Sequence, residues 1–134
     1  PFPPGTGEEY YLQAFERVII PAGRSFAPEL LMLSAGYDSH DGDLLCSMRL
    51  VDSSYRKLSD HLVQLADSCC GGLLIATLEG GYNLEAEARS IVQTVAGFSG
   101  IDVPSKDDPP GLTAYPDKAG EVIEQAAELW SEST

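Results

Sequence analysis

Basic residues are scarce in this chain. Eight Lys and Arg stand against 21 Asp and Glu in 134 residues, a formal net charge of −13. That balance argues against nucleic acid as a partner, because phosphate contacts need clustered Lys and Arg. An acidic surface suits the steering of lysine-rich protein tails or polyamines, and it suits simple solubility equally well, so charge alone identifies no substrate. Cysteine is sparse too: Cys46, Cys69 and Cys70 form no disulfide-scaffold pattern, and no Cys-x-x-Cys stands near further His or Cys to make a structural zinc site. Three such thiols fit a reducing compartment such as the cytoplasm. No apolar run approaches the ~18 residues of a membrane span, and no basic start leads into an apolar stretch, so neither a membrane association nor a signal peptide is expected. There is no His-His pair, no G-x-G-x-x-G and no Gly-Lys-Ser/Thr, which leaves the Gly80-Gly81 pair a poor phosphate cradle.

What is present is an alternation of apolar segments and polar turns. Thr6 followed by Glu9 is a capping-box pattern, and Leu12, Phe15, Val18 and Ile19 recur at helical spacing, predicting a helix that closes near Pro21. Leu30-Leu31-Met32-Leu33 is a short continuous apolar run, the pattern of a strand covered on both faces, and Gly36 ends it. Asp52, Ser53 and Ser54 offer N-caps for a helix with the apolar stripe Tyr55, Leu58, Leu62, Leu65 and Cys69, stopped by Gly71-Gly72. Leu73 to Leu78 reads as a second buried strand. Glu79-Gly80-Gly81-Tyr82-Asn83 then turns into a helix carrying Ala88, Ile91, Val92, Val95 and Phe98 on one side and ending by Gly100. Residues 1–100 thus form one unit, 101–116 a Pro/Asp-rich surface loop or linker, and 117–134 an amphipathic helix with Val122, Ile123, Ala126, Ala127 and Trp130 on its apolar side.

Helix, strand, helix, strand, helix is βαβ order, which predicts a parallel sheet. Crossovers are right-handed almost without exception, so the two strands point the same way and both following loops lie on one edge. Ligands of open parallel sheets bind at that carboxyl edge. Asp38, just past the first strand, and Tyr82, just past the second, are therefore expected on one rim. On pattern alone Asp38 is either an Asx turn or a carboxylate reaching into the crevice, and Tyr82 is either a packed turn tyrosine or a ligand-facing one beside glycines that allow close approach. Asp41 and Asp43 read as loop caps, His40 as a loop residue, and His61 as a solvated histidine in mid-helix.

The runs Ser34-Ala35-Gly36-Tyr37-Asp38-Ser39-His40-Asp41-Gly42-Asp43 and Leu78-Glu79-Gly80-Gly81-Tyr82-Asn83 follow Pro3-Pro4-Gly5-Thr6-Gly7, Tyr11-Leu12 and Phe15-Glu16-Arg17. In that order they resemble the C-terminal third of the zinc-dependent deacetylases, the family of histone deacetylases and their bacterial relatives. The resemblance is to the class II side, which includes the bacterial histone deacetylase-like amidohydrolases and acetoin utilization proteins, and it covers residues 1–100. It implies an α/β fold, a partial three-layer α/β/α with a parallel sheet of arginase/deacetylase type, and a chain that begins in mid-fold. It further implies that Asp38 is one of three zinc ligands, that Tyr82 donates to the substrate carbonyl and then to the oxyanion, and that Gly80, Gly81 and Leu45 line the substrate pocket.

Asp38-Ser39-His40 is not the Asp-x-His segment that supplies the other two ligands in such enzymes, because its neighbours match the later motif, so His40 is not expected to bind metal. Polyamine-selective relatives carry glutamate where Leu45 stands, whereas leucine leaves the rim apolar. Leu44 and Cys46-Ser47 depart from the proline and the two glycines usual in the family. The tandem histidines that provide the base are missing, so Zn2+ is expected in a longer parent and weakly or not at all in these 134 residues alone. Two functions follow. One is a fragment of a deacetylase acting on acetylated amines such as acetyl-lysine or acetylpolyamines, and the other is a non-catalytic α/β module that self-associates or binds a partner.

Overall fold

The computed structural model describes residues 1–106 and 110–132. The first element is a long helical rod in three pieces: α1 (Glu8–Ala14), a π-helical turn (Phe15–Ile19) and α2 (Ile20–Phe26). It does not close at Pro21. The π turn shifts the hydrogen-bond ladder, with Ile20 N–H reaching Phe15 O, and Pro21 then falls in the first turn of α2. A missing donor and a fixed φ cost little at that position. The rod ends instead at Ala27, which has a left-handed φ of 50°, just before Pro28. The expected Thr6 cap is also absent: Gly7 is the N-cap, and the buried Thr6 hydroxyl donates to Pro3 O at 2.7 Å.

Strands β1 (Leu31–Ala35) and β2 (Leu74–Leu78) pair in parallel, Leu31 opposite Leu74 and Ala35 opposite Leu78, with α3 (Asp52–Cys70) crossing between them. The α3 N-cap is Val51 rather than Asp52, Ser53 or Ser54. Ser54 Oγ accepts the Val51 N–H at 3.0 Å, which frees Asp52 for a different role. Helix α4 (Leu84–Ser99) packs on α3 through small residues. Ala86, Ser90, Thr94, Ala96 and Gly97 are buried there, while Val92 and Val95 of the expected apolar stripe are about half exposed.

Alternation along the strands divides the sheet into two unlike faces. Leu33 and Ala35 join Tyr11, Tyr37, Leu50, Tyr55, Leu58 and Ile91 in the core cluster, and Ala76 and Leu78 share a cavity with Ile91, Val95 and Phe98 of α4. On the other face Met32 is 72% exposed and Ile75 50%. The described residues therefore form two layers of an α/β/α arrangement. Strand β1 is covered on its helix-facing side at Leu33 and Ala35, whereas β2 is largely open on both faces, with Ala76 exposed and Leu78 60% exposed on the helix side, so the expectation of a second buried strand is not met.

The segment after α4 is tied down rather than free. Arg56 Nη1 donates to Ile101 O at 2.8 Å, Gln93 Nε2 to Pro104 O at 3.2 Å, Arg49 Nη1 to Leu112 O at 2.6 Å, and Ala114 N–H to Gly5 O at 3.0 Å. Helix α5 (Pro116–Glu132) returns to the N-terminal rod, where Ala119 and Ile123 are buried and Arg17 forms two bonds to Glu124 at 2.7 and 2.9 Å. Residues 133 and 134 of the expected final helix, and 107–109 of the loop, lie outside the described residues.

The α3–α4 contact yields a paired prediction. A Cβ at Gly97 would stand 2.6 Å from Ser59 Cβ, an anchored atom, whereas at Gly120 the nearest atom would be 3.9 Å away. Gly97→Ala is expected to destabilise the fold, because overpacking of about 1–3 kcal/mol exceeds the helix-propensity gain of up to about 1 kcal/mol. Gly120→Ala is expected to be neutral or stabilising. Urea denaturation of the two variants reads the contrast, and equal midpoints would contradict it.

Candidate functional site

Beyond the ends of β1 and β2 the two chains stay paired. Glu79 N–H donates to Ala35 O at 3.0 Å and Tyr37 N–H to Gly80 O at 2.6 Å, so residues 36–38 run beside 79–81. The Asp38 carboxylate lies across this junction. A Cβ at Gly80 would be 3.1 Å from its Cγ and 3.2 and 3.3 Å from its two oxygens, and a Cβ at Gly36 would be 3.1 Å from Oδ1. Gly81 has φ 142°, and a side chain there would press on Tyr37 Cβ at 3.2 Å and on Glu87. The positive φ favours glycine at position 81, and at position 80 a side chain would crowd the carboxylate of the other loop. Tyr82 follows with 51% of its surface open, and Leu44 and Leu45 stand out from the opposite loop at 77% and 75%.

Asp43 joins the two loops. Its Oδ2 accepts the Tyr82 N–H at 2.7 Å, and its Oδ1 accepts those of Leu45 at 2.8 Å and Cys46 at 3.2 Å. These bonds skip residue 44, so the leucine there in place of proline leaves them untouched. Asn83 adds a bond from Nδ2 to Gly42 O at 2.8 Å, and its Oδ1 caps α4 through the Ala86 N–H. Desolvation pushes the Asp43 carboxyl up, but the N–H groups of Leu45, Tyr82, Cys46 and Asn83 outweigh it and hold the group below the usual carboxylate range. Because the folded value is depressed, the stability it contributes is present at neutral pH and is lost only as the pH falls through that lowered value.

His40 is buried, not a free loop residue. Its Nδ1 accepts the Gly42 N–H at 3.0 Å, which assigns the ring proton to Nε2, and Nε2 donates to Asp52 Oδ1 at 2.9 Å. The other oxygen of Asp52 accepts from Arg89 Nε at 2.6 Å. Both ring nitrogens are therefore engaged, and neither offers a lone pair to a metal. The ring lies parallel to Tyr55, whose hydroxyl donates to Tyr37 O at 3.1 Å. Burial pushes that phenol far above its ordinary range and keeps it a neutral donor. His61 is half-buried, its ring against Phe15 and Nε2 3.9 Å from Glu16, rather than solvated.

Asp38 is a half-buried oxygen donor seated on glycine backbone at the carboxyl edge of a parallel sheet, which suits one position in a zinc coordination shell. Among the described residues no group of three or more His, Cys, Asp or Glu converges to hold a metal. The residues present fit one ligand position and not a complete set.

A model of the histone deacetylase domain matches residues 1–98. The chain belongs to the histone deacetylase family. It is 37% identical over 134 residues to "Histone deacetylase 10, chloroplastic" of Oryza sativa subsp. japonica, an alignment covering 98% of this chain and 30% of that one. It is 42% identical over 96 residues to "Polyamine deacetylase HDAC10" of Mus musculus, covering 69% of this chain and 14% of the mouse protein. Among solved structures, the histone deacetylase Clr3 superposes with a TM-score of 0.75 at 30% identity, covering 92% of this chain and 20% of that one. The chain spans less than a third of the length of each. Its fold is the α/β fold of the histone deacetylases, with the parallel sheet and the carboxyl-edge loops in the arrangement its motifs implied.

The His40–Asp52–Arg89 network had no local signal in the sequence, since its members come from a loop, the first turn of α3 and the middle of α4. Asp52→Ala is expected to cost about 3 kcal/mol of stability, because removing one partner leaves buried groups uncompensated and Arg89 alone keeps solvent access. Asp41→Ala, in an exposed position, is expected to cost little. Denaturant unfolding of the pair measures the difference.

Proposed function

We propose that this chain is the part of a zinc-dependent deacetylase that carries one metal ligand, Asp38, and the oxyanion donor, Tyr82. The observation that carries this reading is the seating of the Asp38 carboxylate on Gly80, two residues ahead of Tyr82. It makes one site of two motifs that are about forty residues apart in the chain. Zn2+, when bound, polarises the acyl carbonyl and activates water as a nucleophile. Asp38 supplies one anionic oxygen toward that ion. Tyr82, on the glycine turn, donates from its hydroxyl to the carbonyl oxygen and holds it as negative charge develops. Gly80 and Gly81 line the pocket with backbone, the space of a side chain at each being taken by Asp38, Tyr37 and Glu87, and Leu45 forms an apolar lip that favours a neutral acylated amine over a cationic chain. Of the acetylated amines, acetyl-lysine suits such a lip better than acetylpolyamines, which keep protonated amines, although the mouse relative is named a polyamine deacetylase. The remaining ligands and the general base come from elsewhere in a longer protein. No helix among the described residues is long and apolar enough to cross a membrane, and three free thiols suit a reducing compartment such as the cytoplasm.

A second reading is favoured by one specific observation. Met32 and Ile75 on the open sheet face, with Leu73 beside them, are 72%, 50% and 59% exposed, and an uncovered sheet of this kind associates. On that reading the 134 residues alone form a non-catalytic module that self-associates.

Variants of the intact gene product and the behaviour of the 134-residue chain alone test these readings. In the intact gene product, Tyr82→Phe is expected to lower kcat by roughly 10²- to 10³-fold with little change in KM, the loss typical of one oxyanion donor. Asp38→Ala is expected to lose bound zinc together with activity. Near-normal kcat in the first variant, or stoichiometric zinc in the second, removes the assignment. The 134-residue chain by itself is expected to show no acetyl-lysine hydrolysis and to associate at micromolar concentration in light scattering, and a monodisperse monomer argues against the second reading.

A further inference from the structure

Tyr82 is held in place by very little of its own. Its ring is half exposed, and it follows two glycines, the second with φ 142°. A backbone of that kind has the freedom to move a side chain through several ångströms. What opposes this freedom is the bond from the Tyr82 N–H to Asp43 Oδ2 at 2.7 Å, short and charge-assisted. Asp43 belongs to the other loop, and its Oδ1 is anchored by the N–H groups of Leu45 and Cys46. One carboxylate therefore ties the tyrosine to the same loop that begins with Asp38 and ends in the apolar lip. The tie is backed by Asn83, which bonds Gly42 O and caps α4.

We propose that Asp43 is the positioning residue for Tyr82: by holding the Tyr82 N–H and the Leu45 N–H on its two oxygens, it sets where the phenol stands relative to Asp38 and to the lip. This rests on the deacetylase reading of Tyr82. Asp43 does not touch the substrate; it acts through the tyrosine. Asp43→Asn keeps the size and one acceptor oxygen but turns an N–H donor toward one of the two clamped amides, so one half of the tie is broken.

The test is a double-mutant cycle in the intact, zinc-loaded gene product, with Asp41→Asn as a control for charge on the same loop. Asp43→Asn is expected to lower kcat roughly 10- to 100-fold at unchanged zinc content, the scale of an ångström-level misplacement of a reacting group. In the Tyr82→Phe background the same change is expected to cost less than about threefold, because the group being positioned is already gone. Asp41→Asn is expected to leave kcat at the wild-type level. A merely structural role for Asp43 gives equal losses in both backgrounds, and that result overturns the proposal while leaving Tyr82 as the donor. If Tyr82→Phe itself leaves kcat unchanged, the reading of Tyr82 falls and this proposal falls with it. Amide hydrogen exchange in the unmodified protein keeps the proposal falsifiable without any variant. Protection of the Tyr82 and Leu45 amides supports the tie, and exchange of the Tyr82 amide at the rate of an open loop overturns it.

Discussion

The arrangement of this chain depends on a short stretch of backbone pairing beyond its two strands. A parallel ladder brings the ends of β1 and β2 side by side, but loops that follow strands usually diverge. Here the Tyr37 N–H reaches Gly80 O at 2.6 Å and carries the pairing one step further. The close fit is eased by the missing Cβ at residues 36 and 80, where one would crowd the Asp38 carboxylate, and at 81, where φ is 142° and a side chain would press on Tyr37. The glycines therefore serve the packing of one loop against the other before they serve any ligand. Everything proposed about the site follows from that contact: a carboxylate and a phenol from distant parts of the sequence share one rim.

Charge is used sparingly and at joints. In a chain of net charge −13, five of the eight basic residues connect separate elements. Arg17 holds α5, Lys57 meets the buried Glu8 of α1, and Arg49 and Arg56 pin the segment after α4. Arg89 compensates Asp52, which in turn orients His40. Asp52 is a buried anion with two directed partners, and the pair of bonds links α3, α4 and the loop that begins at Asp38.

One face of the sheet stays open among the described residues. Leu33 and Ala35 point into a core built from α1, α3 and α4, while Met32 and Ile75 point away from it. A continuous apolar strand has side chains for two covering layers, and the described residues supply one. The relatives are more than three times longer than the segment they share with this chain, by the 30% coverage of the rice protein.

The order of elements, the parallel pairing and the carboxyl-edge placement of Asp38 and Tyr82 were legible in the sequence, because hydrophobic runs, helical stripes and glycine stops are local patterns and crossover handedness is nearly invariant. Local patterns misled where longer contacts overrode them. Pro21 reads as a stop, yet the rod passes through it, since a π turn relocates the missing donor. The apolar residues of α4 lie on one side as read, and of these Ile91 packs against the core while Val92 and Val95 stay half exposed; the most buried side is the one with small residues, where Gly97 approaches Ser59 of α3. His40 is a loop residue as its position suggests, but its burial has no local signal, because its partner Asp52 is 12 residues away and Arg89, which bonds Asp52, is 49 away. The sequence by itself determined the order of strands and helices and which loops follow the strand ends. Only the tertiary structure decided which carboxylate holds the other loop, because a hydrogen bond from Asp43 to an amide 39 residues on has no signature in spacing or composition.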